Sequence, residues 1–176
     1  MNNWPNRLSI LRVLLIPVIV ILLYASAPWC GIAAAIFFAL AAFTDFLDGY
    51  LARRDHLITN FGKFIDPVAD KLLVLSTMIM LIHLDILPAW MVIIILAREL
   101  SVDGLRLVSM TKGQVISAGP LGKIKTASQM IMIVLLLILR KPLFSFVPGI
   151  IIGIWITGIT IWSGADYFIR NAEILK

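Results

Sequence analysis

The chain has 176 residues, 61% of them hydrophobic and 14% charged, with a net charge of +5. This composition excludes an ordinary water-soluble domain and predicts an integral membrane protein built as one domain over residues 1–176. The basic excess does not predict nucleic-acid binding, because Lys and Arg stand at the ends of apolar runs and form no soluble basic surface, and the lone Cys30 excludes an internal disulfide and reads as helix packing.

Apolar stretches able to cross a hydrocarbon core, which takes about 17–25 helical residues, fall near residues 8–24, 29–53, 67–86, 88–110, 119–139 and 144–168. The expected fold is an all-α bundle of six transmembrane helices. The opening M-N-N-W-P-N-R-L-S-I-L-R places charges before an apolar run, as a signal peptide does, but no clean small-residue cleavage site follows, so it reads as retained. Trp4 and Pro5 read as a short interfacial lead-in. The second stretch ends in D-F-L-D-G-Y-L-A-R. There Asp45, Asp48, Gly49, Ala52 and Arg53 recur at i, i+3, i+4, i+7 and i+8, a single helical stripe whose small residues leave room between carboxylates. Gly62, Asp66 and Asp70 repeat the pattern at i, i+4 and i+8 into the third stretch. Hard divalent ions such as Mg²⁺ take carboxylate oxygens and keep positions open for substrate phosphates, so metal-assisted phosphoryl-type transfer is the expected chemistry. Four carboxylates near one membrane face would otherwise repel one another.

The fourth stretch carries A-R-E-L-S-V-D-G-L-R, in which Arg98 and Arg106 are eight apart and share roughly one face. For Glu99 and Asp103, charge pairing with these arginines and a role in a site are equally open, whereas for Arg106 anion binding is the leading reading. At the start of the fifth, G-P-L-G-K-I-K-T sets Lys123 and Lys125 just after glycines, where free helix amides favour a phosphate; snorkelling and orientation are the alternative. His56, His83 and the scattered tryptophans read as structural or interfacial, and no P-loop, Rossmann, zinc or nucleophile-elbow pattern occurs. An even number of spans puts both termini on one side. Of the fifteen basic residues only Arg140 and Lys141 would lie opposite, a bias that makes the termini, the loops at 54–65 and 111–118 and the aspartates cytoplasmic.

The order D-x-x-D-G-x-x-A-R-x(8)-G-x(3)-D-x(3)-D, matched at all eight fixed positions from Asp45 to Asp70, resembles the signature of the CDP-alcohol phosphatidyltransferases. In that family an acceptor hydroxyl attacks the phosphorus of a CDP-activated donor and CMP leaves. The resemblance implies a helical bundle with a cavity open to the cytoplasm, in which Asp45, Asp48, Asp66 and Asp70 hold one or two Mg²⁺ or Mn²⁺ ions and Asp70 accepts the proton. It implies a donor site at Gly49, Ala52, Arg53 and Gly62, with Asn6 and Ser9 of an N-x-x-T-x-x-R segment in which serine replaces the usual threonine. A-R-E-L-x(5)-R-L and G-K-I-K-T-A-S-Q-M look like the branch that uses CDP-diacylglycerol and sn-glycerol 3-phosphate, so Arg98, Arg106, Lys123 and Lys125 are expected to bind the acceptor phosphate. A homodimer among the lipids of a bacterial cell membrane is implied as well. The rival readings are a relative with another acceptor (inositol phosphate, phosphatidylglycerol or serine), a divalent-cation transporter, and a catalytically silent scaffold. Against a transporter, no second acidic set continues a path to the opposite face.

Overall fold

The computed structural model describes residues 4–25, 27–54, 60–112, 116 and 119–172, with side chains described at all of these except 4–9, 28, 45–54 and 60–67. The elements are α1 (Trp4–Tyr24), α2 (Pro28–Arg54), α3 (Asn60–His83), α4 (Ala89–Thr111), α5 (Pro120–Leu139) and α6 (Val147–Arg170), with a 3₁₀ turn at Leu143–Ser145. No strand occurs among the described residues. The six helices fall on the six apolar stretches, and the fit is poorest at α3. That helix starts at Asn60, not at 67, and runs through Pro67. Hydropathy marks where apolar residues begin, whereas the helix also carries the polar N-F-G-K-F-I-D segment ahead of them. The Trp4–Pro5 lead-in is likewise the first turn of α1. Of the loops expected at 54–65 and 111–118, residues 55–59, with His56, and 113–115, 117 and 118 lie outside the described residues, while 54 ends α2 and 60–65 belong to α3.

Prolines punctuate the chain. Pro28 and Pro120 are the first residues of α2 and α5, Pro148 occupies the first turn of α6, and Pro88 caps α4 with φ −72° and ψ 136°. At a helix start proline loses nothing, because its absent N–H would have been unpaired there and its φ is already helical. Pro17 is different: it sits inside α1 and removes the bond that residue 17 would give to the carbonyl of Val13.

The chain divides into two compact units. The first comprises residues 1–84 and 133–140, and in it α1 packs against both α2 and α3. Its buried side chains include Ile19 and Leu23 of α1, Ala34, Phe38 and Ala41 of α2, and Leu73, Met78 and Leu81 of α3. Cys30 is free and buried, as a packing residue. Arg140 ends α5 in the left-handed region, at φ 47°, a conformation that costs an L-residue about 1–2 kcal/mol. Its side chain offsets that cost, since Nη1 donates to the carbonyls of Ala25 and Ala27 and Nη2 to that of Leu23. Leu23 and Ala25 lie at the end of α1 and just beyond it, where carbonyls lack intrahelical partners and a positive charge is favoured, whereas Ala27 directly precedes α2 and its carbonyl also accepts from the Cys30 N–H. Gly31 admits the arrangement, for a Cβ there would lie 2.5 Å from the Leu137 carbonyl oxygen and 2.7 Å from Arg140 Cδ.

The second unit comprises residues 85–132 and 141–176, and in it α4 packs on α6. The buried positions of α6 are Gly149, Gly153, Ile156, Thr160, Ser163 and Tyr167, alternating steps of four and three. That period makes one seam, and its small residues suit close packing in lipid. Gly149 and Gly153 pair with their own chain: added Cβ atoms would run into the Leu143 carbonyl and the Phe144 ring of the preceding turn. Large apolar side chains such as Leu107, Ile131, Ile154 and Trp162 are more than half exposed. Such a surface fits hydrocarbon, and α5 and α6 are each long and apolar enough to cross it.

Candidate active site

Asp45 and Asp48 lie in the last three turns of α2, and Asp66 and Asp70 in the first three turns of α3. At about 100° per residue the first pair is about 60° apart around its helix and the second about 40°, so each pair holds one face, as the spacing predicts. The side chains of Asn6, Ser9, Asp45, Asp48, Gly49, Ala52, Arg53, Gly62 and Asp66 lie outside the described residues; Asp70 is half-buried.

Arg12 is the arginine that closes the N-x-x-T-x-x-R segment, and sequence reasoning assigned it no role beyond that resemblance and membrane orientation. It is 1% exposed, and its Nε donates to the Ala41 carbonyl at 3.2 Å. Ala41 stands one helical turn before Asp45, and the same carbonyl accepts from Thr44 Oγ1 at 2.8 Å. A buried guanidinium thus ties α1 to the turn of α2 that leads into the aspartates. The signals in the sequence were its place at the end of the N-x-x-T-x-x-R segment and the apolar run that follows it; its tie to Ala41 was not legible.

In the second unit Glu99 organises two of the expected basic residues. The Lys125 ammonium sits against Glu99 Oε1, and Arg98 Nη1 lies 3.5 Å from the same oxygen. Internal pairing with the arginines was an open reading for Glu99, and Glu99 is paired, with Lys125 as well as Arg98. Gly122 and Gly164 accommodate Arg98: a Cβ on the first would lie 3.3 Å from Arg98 Nη2, and one on the second 3.1 Å from Arg98 Cγ. Lys123 and Lys125, treated alike in the sequence, part company. Two residues turn a helix by about 200°, so Lys125 is fully buried while Lys123 is exposed.

Arg106 and Arg98 both address α6, in keeping with their shared face. Arg106 Nε donates to the Tyr167 hydroxyl at 3.1 Å, and its guanidinium carbon lies 5.7 Å from that ring's centroid. Arg106 makes no ion pair among the described residues. Tyr167 packs with Val102 and Leu105, partly covered by Ile116 and Phe168. Sequence reasoning missed Tyr167, Gly122 and Gly164, none of which carries a charge to mark it.

The chain matches the model of the CDP-alcohol phosphatidyltransferase family over residues 2–163. It is 44% identical to a Bacillus subtilis (strain 168) protein named CDP-diacylglycerol–glycerol-3-phosphate 3-phosphatidyltransferase, with 100% of this chain and 98% of the relative covered. A Rickettsia typhi protein of the same name is 41% identical over 96% of both chains. An Escherichia coli (strain K12) protein, also of that name, is 36% identical over 94% of this chain and 92% of its own length.

Proposed function

This chain belongs to the CDP-alcohol phosphatidyltransferase family, and from that premise we infer that it transfers the phosphatidyl group of CDP-diacylglycerol to sn-glycerol 3-phosphate, giving phosphatidylglycerol phosphate and CMP. The observation that carries this reading is identity along the whole chain with proteins named for that reaction, in a sequence that keeps every fixed position of the aspartate motif. The family is in general dependent on divalent metal. The donor set fits such an ion: four carboxylates, hard and acceptor-only, paired on one face of α2 and one face of α3.

In this reading Asp45, Asp48, Asp66 and Asp70 hold two divalent ions, Mg²⁺ or Mn²⁺. Bound there, the ions supply electrostatic stabilisation of the charge that builds on the diphosphate as CMP leaves. Asp70 accepts the proton of the attacking glycerol hydroxyl. Gly49, Ala52 and Gly62 leave room for the cytidine, Arg53 reaches a donor phosphate, and Asn6 and Ser9 supply polar groups from α1. Arg98, Arg106, Lys123 and Lys125 are the basic residues of the acceptor-phosphate subsite in this reading, with Arg98 and Lys125 already answering Glu99 and Lys123 exposed where Lys125 is buried. Support for that subsite comes from Arg106, a cation within a largely apolar helix with no carboxylate paired to it among the described residues. The chain works as one catalytic domain of six membrane spans, in a bacterial cell membrane, with the aspartates on the cytoplasmic side and two copies forming a homodimer.

The test is CMP release from purified protein given CDP-diacylglycerol and sn-glycerol 3-phosphate, with and without EDTA. Release that needs both substrates and metal is expected. Equal release with inositol phosphate, phosphatidylglycerol or serine would overturn the acceptor, and release unaffected by EDTA would overturn the metal site. Arg106→Ala should raise the KM for glycerol 3-phosphate about 10- to 100-fold, the size of a lost charge-assisted contact, with far less effect on the KM for CDP-diacylglycerol.

A further inference from the structure

Two arginines in this chain are held in opposite ways. At Arg140 the terminal nitrogens Nη1 and Nη2 are spent on the carbonyls of Leu23, Ala25 and Ala27, as in an arginine whose task is to close a helix end. At Arg106 the anchored atom is Nε, which donates to the Tyr167 hydroxyl, and Nη1 and Nη2 have no hydrogen-bond partner among the described residues. The ring of Tyr167 also lies within cation–π range of the guanidinium, at 5.7 Å. Tyr167 is itself fixed, 7% exposed and packed among Val102, Leu105 and Phe168.

A guanidinium offers five N–H donors in a planar fork, and the Nη1–Nη2 end matches two oxygens of one phosphate. Its weakness as a receptor is the flexible stem, whose rotamers must be frozen when the anion arrives. Tyr167 removes much of that cost in advance: one hydrogen bond at Nε fixes the direction of the fork, and the ring restricts its tilt. We propose that Tyr167 is a positioning residue for the acceptor, holding Arg106 with Nη1 and Nη2 presented to the phosphate of a phosphorylated acceptor. The proposal rests on the assignment of Arg106 to the acceptor phosphate. Tyr167 touches no reacting atom and lies beyond residue 163, where the family match ends.

The test is steady-state kinetics of the full chain in detergent with saturating metal. Tyr167→Phe keeps the ring in its packing site and deletes only the hydroxyl. The KM for sn-glycerol 3-phosphate should rise about 3- to 10-fold, the worth of one hydrogen bond, while kcat and the KM for CDP-diacylglycerol stay within about twofold. In an Arg106→Lys background, which has no Nε to anchor, Tyr167→Phe should change the acceptor KM no further. Thermal stabilisation by saturating glycerol 3-phosphate should weaken in parallel, a readout independent of turnover. An unchanged acceptor KM in Tyr167→Phe, or a rise of the same size in the Arg106→Lys background, overturns the proposal. So does a uniform loss in kcat and both KM values, the mark of a merely structural residue. If Arg106→Ala leaves the acceptor KM unchanged, the assignment of Arg106 falls and this proposal with it. If Arg106→Ala raises that KM and Tyr167→Phe does not, only the role of Tyr167 is lost.

Discussion

Replacing Glu99 with Gln tests how the buried charges of α4 and α5 hold each other. The Lys125 side chain is 1% exposed and its ammonium sits against the Glu99 carboxylate, which is 24% exposed and also 3.5 Å from Arg98 Nη1. Breaking a buried ion pair by removing one partner costs about 3–5 kcal/mol, because a charge is left without its counterpart in a poorly polarisable surrounding. Partial exposure of Glu99 puts this case at the low end, about 3 kcal/mol. At roughly 2–4 °C per kcal/mol for a chain of this size, Glu99→Gln should lower the midpoint of thermal unfolding in detergent by about 6–12 °C. The double variant Glu99→Gln/Lys125→Met, which removes the Lys125 charge as well, should recover most of that loss. A single variant that melts with the parent would show that the carboxylate does not stabilise Lys125, and the reasoning would fail.

Asp66→Asn is nearly isosteric yet removes a charged oxygen ligand, so turnover should vanish while the protein still inserts and folds; near-parental rates at saturating Mg²⁺ would remove Asp66 from the metal site. Asp70→Asn should lower kcat at least as severely with a smaller effect on donor binding, as expected of a proton acceptor. If it shifts only the metal concentration needed for activity, Asp70 is a ligand and not the base. Gly31→Ala should lower the thermal midpoint, since overpacking against the Leu137 carbonyl and Arg140 typically costs about 1–3 kcal/mol; an unchanged midpoint would refute that close approach.

The six helices were legible because apolar runs and prolines set their limits, and prolines cost nothing at the starts they mark. The start of α3 was not, for a helix does not stop where its residues turn polar. The aspartate motif was legible because carboxylates in apolar sequence are costly and their spacing is helical. What surrounds the basic residues was hidden, since it is tertiary. Nothing in G-K-I-K says that Lys125 turns inward onto Glu99 while Lys123 faces out, beyond their separation of two positions. Nor does the sequence mark Gly164 as the space beside Arg98, or Tyr167 as the partner of Arg106. Uncharged residues acquire these tasks only from what packs beside them.

These contacts also bear on how the chain is oriented. Counting positive charges assumes that each Lys or Arg is free to choose the side of the membrane it prefers. Arg12, Arg98, Arg106 and Lys125 are committed instead to Ala41, Glu99 and Tyr167, and Arg140 to the end of α1. Setting these aside leaves nine basic residues on the side of the termini and only Lys141 opposite, given six spans. The asymmetry therefore sharpens when these five residues are left out of the count. Arg140, the main exception to the pattern, stands where it does because the unpaired carbonyls at the end of α1 require a donor there. A cytoplasmic position for the aspartates, with access to them for a water-soluble acceptor, is the expectation from this asymmetry, and it fails if labelling of an introduced cysteine near Lys176 proceeds only from outside the cell.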